Sequence, residues 1–413
     1  MINEKRLKKD FSEISKFGAL KNGGITRLAF SKEDLEAREF LLKILKDFGF
    51  KIKIDEIGNI FARIDGKNPN LPAVSVGSHI DSVPNGGIYD GTLGVMCGLE
   101  AIRSIKENGV NFKRSLELIV FSCEESSRFK MATLGSKVIS GKLNKQNLKD
   151  LKDDDKISVF DAAKKCGFDV ENLQNAIKPN DFYHSYIELH IEQGPVLQNQ
   201  KATLGAVSAI AAPIRYEVKI FGRADHSGAT PMNMRKDTLC VASEIVLAVE
   251  RIAKFELEKT SVATTGYIKT IPGVLNVIPG ECILGIDIRD ITKNSLNRAN
   301  DLILKEIEKI CEHRDVKFEI KNLAKDMPVI LDLSINSMIF DTATNKNINC
   351  IMLPSGAGHD AMHMNSIAKK VGMIFIPCKD GISHNILESI NFDDAIKGCE
   401  VLCEMLIKLA NEE

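Results

Sequence analysis

The chain has 413 residues, 44% of them hydrophobic, a length beyond what one hydrophobic core usually serves; two domains are expected, possibly one inserted into the other. With 55 Lys+Arg against 56 Asp+Glu the formal charge is −1, which excludes a basic field for nucleic acid or an anionic membrane surface. No apolar run approaches a membrane span, the N-terminus lacks an apolar signal core, and the ten scattered cysteines form no CxxC pair, all of which point to the cytoplasm.

Residues Ser31–Phe48 read as a helix. Ser31 and Asp34 have capping-box spacing, Leu35, Phe40, Leu41, Ile44 and Leu45 share a face, and Gly49 is a stop. Two strands, Lys51–Ile57 and Ile60–Ile64, flank a turn at Gly58-Asn59. A buried strand over Ala73–Gly77 then delivers His79 and Asp81 at its end, a glycine-rich turn carries Asp90, and a helix spans Leu93–Lys106. The run Leu116–Cys123 is nearly all apolar, as a strand covered on both faces should be. It ends in Glu124-Glu125, two adjacent carboxylates that are costly to bury unless something positive sits beside them. Residues 142–181 are polar and peripheral. The segment Ser185–Glu192 alternates, so in a strand Glu188, His190 and Glu192 point to one side, and Gly194-Pro195 ends it.

From residue 209 to 323 the pattern changes to strand (Ile214–Phe221), helix (Arg235–Phe255), strand (Ser261–Thr270), strand (Glu281–Asp290), helix (Ser295–Glu312) and strand (Lys317–Leu323). That β-α-β-β-α-β order is the split βαβ, ferredoxin-like unit, complete in itself and read as an insertion. Afterwards the first pattern resumes: helix Leu333–Asn345, strand Ile348–Leu353, a loop with His359-Asp360, strand Val371–Pro377, a loop ending in His384, and helix Phe392–Leu409. The predicted layout is an α/β domain in two pieces, 1–208 and 324–413, around a smaller α+β domain at 209–323.

His79, Asp90, Glu125, His190 and His384 all fall at strand ends or in the loops after them. They make two histidine-plus-carboxylate sets with one carboxylate left over, the donor set of a bridged two-metal site in which Asp90 spans both ions. Asp81 is placed to accept the second ring N–H of His79. Glu124, beside a ligand but free of metal, could act as a base. Each segment alone could be a solvated loop; their joint order at strand ends argues otherwise.

The motifs GSHIDSVPNGGIYDG, EESSRF at Glu124, ELHIEQGP at Glu188, GRADHSGATPMNMRKD at Gly222, LNVIPGE at Leu275, DIRD at Asp287, SGAGHDA at Ser355 and GISH at Gly381 occur in the order of the M20-type metallopeptidase clan. They resemble most its amidase branch, the hydantoinase/carbamoylase enzymes: N-carbamoyl-L-amino acid hydrolases, allantoate amidohydrolase and β-ureidopropionase. The resemblance implies a mixed-sheet, di-zinc exopeptidase-like catalytic domain. It further implies two divalent ions, zinc or in its place manganese or cobalt, with Asp90 bridging, His79 and His190 on one ion, and Glu125 and His384 on the other. It implies Glu124 as general base, a cis peptide at Asp90–Gly91, and His226 and Asn276 as groups that bind the developing oxyanion or the substrate. Gln193, Arg289 and the Gly358-His359 turn match positions that hold the substrate's polar groups. The inserted domain is implied to be lid and dimerisation surface of a homodimer. The expected reaction is hydrolysis of a linear non-peptide C–N bond, that of an N-carbamoyl-L-amino acid, to the amino acid, carbon dioxide and ammonia. Allantoate or a β-ureido acid is the close rival, and a dipeptidase, an aminopeptidase or a non-catalytic metal-binding protein are the more distant ones. One departure stands out: after His384 the chain reads Asn-Ile-Leu-Glu388 where many relatives are expected to carry proline.

Overall fold

The computed structural model describes residues 2–412, and the apolar runs of the chain become strands of one mixed sheet. In order across it lie Lys51–Ile54, Ile60–Ile64, Leu116–Phe121, Val74–His79, Tyr183–Ile191, Ala368–Ile376 and Leu204–Ile210. The four middle strands are mutually parallel, whereas those flanking them are antiparallel. Every residue of Val74–His79, Leu116–Phe121 and Tyr183–Ile191 is buried, as strands covered on both faces must be. Because parallel strands end on the same edge, the residues that follow His79, Phe121, Ile191 and Ile376 gather there. Open α/β sheets place their ligands at that edge.

The helices Thr92–Glu107 and Phe392–Asn411 cover this sheet. A Cβ at Gly94 would lie 2.1 Å from the carbonyl oxygen of Leu189, so only glycine lets the first of them approach so closely. The helix Lys32–Phe48 begins where Ser31 accepts the N–H of Asp34, and it ends at Gly49, whose φ of 87° lets its N–H return to the last carbonyls. Its buried apolar stripe is Ala37, Leu41 and Leu45, and Leu35 is 37% exposed, a narrower face than the sequence suggested. The strand after it stops at Ile54 rather than Ile57. Its continuation is diverted because the Asp55 carboxylate accepts the N–H groups of Ile57 and Asn59 and closes a turn.

By its internal contacts the chain divides into two units, one of Met1–Ser208, Leu331–Leu353 and Gly358–Glu413, the other of Ala209–Ile330 with Pro354–Ala357. The second unit holds a four-stranded antiparallel sheet in the order Lys317–Lys325, Ala212–Phe221, Glu281–Asp290, Val262–Ile271. Two helices, Thr238–Phe255 and Lys293–His313, bury stripes such as Val241, Ile245, Val249 and Ile252, and Leu296, Ala299, Ile303 and Ile307. The element order and this sheet order are those of the ferredoxin-like unit. Pro354–Ala357 groups here because the Ser355 carbonyl accepts the N–H of Ala211 and the Gly356 carbonyl accepts from Arg289.

Candidate metal centre

Four segments bring polar side chains to the carboxyl edge of the first unit's sheet. His79 is the last residue of its strand, His190 lies one residue from the end of another, Glu124-Glu125 follow a third, and His384 sits in the loop after the fourth. Asp90 ends the loop between His79 and the Thr92–Glu107 helix.

Asp90 divides its two oxygens. Oδ1 lies 3.5 Å from Nε2 of His79 and 3.2 Å from Nε2 of His190, while Oδ2 lies 3.4 Å from Nε2 of His384, which is itself 3.4 Å from Oε1 of Glu125. His79, Asp90 and His190 form one cluster with donor atoms close enough for an ion, and Asp90, Glu125 and His384 form another. No thiolate takes part, and a nitrogen-and-carboxylate set of this kind suits zinc, manganese or cobalt.

The histidines are oriented for such a role. Nδ1 of His79 is 3.0 Å from the carbonyl of Asp81, and Nδ1 of His190 is 2.9 Å from the carbonyl of Ile191. Since a carbonyl can only accept, each ring carries a proton on Nδ1 and presents Nε2 to Asp90, the nitrogen that would bind an ion once its own proton is lost. The expectation that the Asp81 carboxylate would hold His79 needs correction. Its Oδ1 is 3.7 Å from the ring, and the two carboxylate oxygens instead accept the N–H groups of Glu124, at 3.2 Å, and Glu125, at 3.0 Å. Asp81 therefore fixes the pair of glutamates, while its backbone fixes the histidine.

The expected cis bond at Asp90–Gly91 is absent; among the described residues the cis peptide is Ile271–Pro272. The chain turns instead at Gly91, with φ 62° and ψ −52°, and the Thr92 N–H donates to the Asp90 carbonyl at 2.6 Å. This is a γ-turn of the rarer hand, which favours glycine.

Three further groups hold Asp90. Gln193 donates from Nε2 to Oδ2 at 2.6 Å, Ser383 donates to the same oxygen at 2.9 Å, and Glu388 accepts the backbone N–H groups of Tyr89 and Asp90. Ser383 and Glu388 escaped sequence reasoning. The signal was there for Glu388, an isolated acid within the apolar run Ile386-Leu-Glu-Ser-Ile390 where proline had been expected. By accepting the N–H groups of Tyr89 and Asp90 it ties the loop after His384 to the loop that carries Asp90.

Charge is dense at this edge. Burial would lower the basicity of His79, but Glu124, Asp90 and Asp81 outweigh it and hold the imidazole well above its ordinary range. Burial likewise pushes Asp90 up, and His190, His384 and His79 together pull it well below the ordinary carboxylate range. Glu124 is driven well up, first by burial and then by Glu125 and Asp360 against the opposing effect of His79. Hydrogen bonding to Asp90 and Glu125 raises His384 to about 11. So many buried acids with imidazoles as their nearest cations make a natural seat for added positive charge.

His359 and Gly358 follow in the same unit. His359 is buried, its ring 4.6 Å from that of His190 and 5.6 Å from Phe375, and burial together with His190 holds it well below its ordinary value, hence neutral. In the second unit, His226 and Asn276 share a two-stranded ribbon in which Val277 pairs with His226 and the Asn276 carbonyl accepts the N–H of Ser227. Nδ1 of His226 accepts from the N–H groups of Gly228 and Ala229, which leaves Nε2–H as an exposed donor. Arg289 bonds Asp287 through Nε and Nη2 and the Gly356 carbonyl through Nη1, and Arg215 also bonds Asp287. Two guanidinium groups against one carboxylate leave a net positive charge.

Residues 75–408 match the model of peptidase family M20/M25/M40. A solved structure of an amidase of the hydantoinase/carbamoylase family from Burkholderia multivorans superposes with a TM-score of 0.90 at 31% identity, covering 100% of this chain and 98% of that one. The chain belongs to the M20 family, in its hydantoinase/carbamoylase amidase branch. This amidase is 42% identical to an uncharacterized hydrolase of Haemophilus influenzae, over 99% of both chains. It is 35% identical to an N-carbamoyl-L-amino-acid amidohydrolase of a Pseudomonas strain, with 98% of both covered, and 36% identical to a ureidoglycolate hydrolase of rice, over 99% of this chain and 85% of the relative. Among the described residues no helix is long and apolar enough to cross a membrane, and all ten cysteines are free thiols.

Proposed function

We propose that this amidase hydrolyses the ureido C–N bond of N-carbamoyl-L-amino acids to the amino acid, carbon dioxide and ammonia. Two divalent ions, zinc with manganese or cobalt able to replace it, would be held by His79, Asp90 and His190 and by Asp90, Glu125 and His384. The observation that supports this most directly is the division of Asp90, whose two oxygens face different donor pairs at 3.2–3.5 Å. Bound there, the ions would supply polarisation of the ureido carbonyl and a water that ionises near neutral pH.

The chain's own residues do the rest. Glu124, buried and with Oε2 3.8 Å from Nε2 of His79, sits beside the first donor set without belonging to it. Its raised affinity for protons suits a group that takes the water's proton on its carboxylate and returns it to the leaving nitrogen. Asp81 keeps Glu124 and Glu125 in register through their N–H groups. Gln193, which already donates to Asp90, and the Gly358-His359 turn would orient the ureido group. On the second unit, Arg289 would bind the substrate carboxylate, and His226 and Asn276 would donate to the developing oxyanion, each such donor contributing about 3 kcal/mol. We read that unit as lid and as dimerisation surface of a homodimer, and the reduced thiols as those of a cytoplasmic enzyme.

A second reading, another ureido acid as substrate, is favoured by the rice ureidoglycolate hydrolase, as similar to this chain as the carbamoylase is. Allantoate falls in the same class. All present a ureido group and a carboxylate, so the roles above carry over and only the side-chain pocket differs. Glu124→Gln tests the chemistry common to both: turnover should fall at least about 10²-fold while two ions stay bound. Near-normal turnover in that variant would remove Glu124 as the base.

A further inference from the structure

The sequence Ile25-Thr-Arg27-Leu lies far from the residues so far assigned, yet Arg27 is fully buried. Among the described residues no carboxylate forms an ion pair with it. Asp34 and Asp81 act on it only through space, and burial pulls the guanidinium down to about 10. A fully buried arginine without a paired acid is rare and unfavourable, so the hydrogen bonds it makes must matter.

Those bonds reach three separate pieces of chain. Nη1 donates to the carbonyls of Ile14 and Phe17, at the end of the Glu4–Ile14 helix, at 2.9 and 3.0 Å. Nε donates to the carbonyl of Ile80, the residue after His79, at 2.6 Å. Nη2 donates to the hydroxyl of Thr92, the residue after the Gly91 turn, at 2.9 Å. The backbone joins in: the Arg27 N–H donates to the Ser82 hydroxyl, and the Ser82 N–H donates to the Arg27 carbonyl. One planar fork thus spans both arms of the loop that presents His79 at one end and Asp90 at the other.

We infer that Arg27 is a positioning residue that sets the separation of His79 and Asp90, and thereby the geometry of the ion those two share with His190. This rests on the two-ion reading given above. Lysine retains the charge but offers three donors from a single point, and it cannot reach four acceptors arranged around a fork. Outer groups that orient metal ligands contribute about 10–100-fold to affinity.

The test isolates that ion. In the His384→Ala background the His79, Asp90 and His190 set remains, and Co²⁺ binding is followed by its visible absorption and by equilibrium dialysis. Adding Arg27→Lys should weaken the Co²⁺ dissociation constant about 10–100-fold and shift the absorption bands, whereas Arg103→Met should leave both unchanged. Arg103 is a buried arginine paired with Asp10 and Glu100, so its loss lowers stability alone. A constant within twofold in the Arg27→Lys protein overturns the inference. If the His384→Ala protein binds no Co²⁺ at all, the two-ion reading is what fails. Arg27 is then judged in the metal-free wild-type background by NMR of ¹⁵N-labelled histidine, where Arg27→Lys should lose the slowly exchanging Nδ1–H of His79 and its retention overturns the inference. Should Arg27→Lys not fold, Thr92→Val removes one acceptor and takes the same measurements.

Discussion

Replacing Gly91 by alanine puts the centre's most constrained turn under direct load. Two effects combine there, and a second glycine separates them. At φ 62° and ψ −52° an L-residue is strained by about 1–3 kcal/mol whatever space it has. In addition, the new Cβ would lie 2.3 Å from Nε2, 2.4 Å from Cε1 and 2.5 Å from Cδ2 of His79. Real Cβ contacts are not so short, and His79 is buried at 2% exposure, so the ring has to swing off its line to Asp90. Gly109 has φ 65° with nothing within 4 Å of its Cβ position, so Gly109→Ala carries the backbone effect alone. Gly109→Ala should lose about 1–3 kcal/mol in calorimetry, and Gly91→Ala more than that because the clash adds to the strain. Only Gly91→Ala should also lose affinity for the ion held by His79 and His190, by more than about 100-fold in dialysis against buffered Zn²⁺, since even outer partners contribute 10–100-fold. A Gly91→Ala protein that holds two ions as tightly as the Gly109→Ala control would refute the geometry assigned to His79.

Asp81→Ala leaves two buried N–H groups without their carboxylate and should destabilise the metal-free protein by about 2–5 kcal/mol. Turnover should fall with it, and Asp81→Asn should recover part of both; an unchanged melting curve for the alanine variant would contradict the assigned hydrogen bonds. His384, raised to about 11 by Asp90 and Glu125, is cationic in the metal-free protein at pH 7, and an ion requires it neutral. Metal uptake should therefore release a proton from it, and another from His79, which is also held well above its ordinary range, so that binding tightens at least about tenfold per pH unit between 6 and 8. Calorimetry in buffers of different ionisation enthalpy reads this, and His384→Ala should release about one proton fewer. Asp360 is fully buried with Ser136 donating to it, and burial together with Glu188 raises it to about 8. An acid whose folded value lies above its unfolded one contributes stability below about pH 4 that is lost as pH rises towards 8. Asp360→Asn should flatten the decline of the metal-free melting temperature across that window, and an identical slope would exclude the effect. Arg289→Ala should raise KM for a ureido acid at least tenfold more than it lowers kcat if the side chain binds the carboxylate; a pure loss of kcat would point to another role.

How much of this was legible in the sequence depends on the range of the interactions involved. The apolar runs ending in His79 and in Glu124-Glu125 announced buried strands, and the ferredoxin-like order of the second unit followed from alternating strand and helix periods. These signals are local, and local signals survive in a linear string. The Gly91 turn did not, because a glycine in a Gly-rich loop is compatible with several conformations and only the hydrogen bond from Thr92 to Asp90 selects one. Asp81 misled for a related reason: its carboxylate and its carbonyl both lie near the His79 ring, and spacing alone cannot tell which of them faces it. Ser383 and Glu388 meet Asp90 across nearly three hundred residues. Arg27 binds acceptors whose backbone carbonyls carry no residue signature at all.

The central claim is that a buried edge built around Asp90 hydrolyses ureido acids. Ammonia release by the metal-loaded protein from N-carbamoyl-L-amino acids, N-carbamoyl-β-alanine, ureidoglycolate and allantoate, with a panel of dipeptides alongside, tests it most directly. The account predicts turnover of at least one ureido acid, foremost an N-carbamoyl-L-amino acid, and little or none of any dipeptide. Turnover of dipeptides alone would contradict it and would reassign Arg289 and Gln193 to peptide binding.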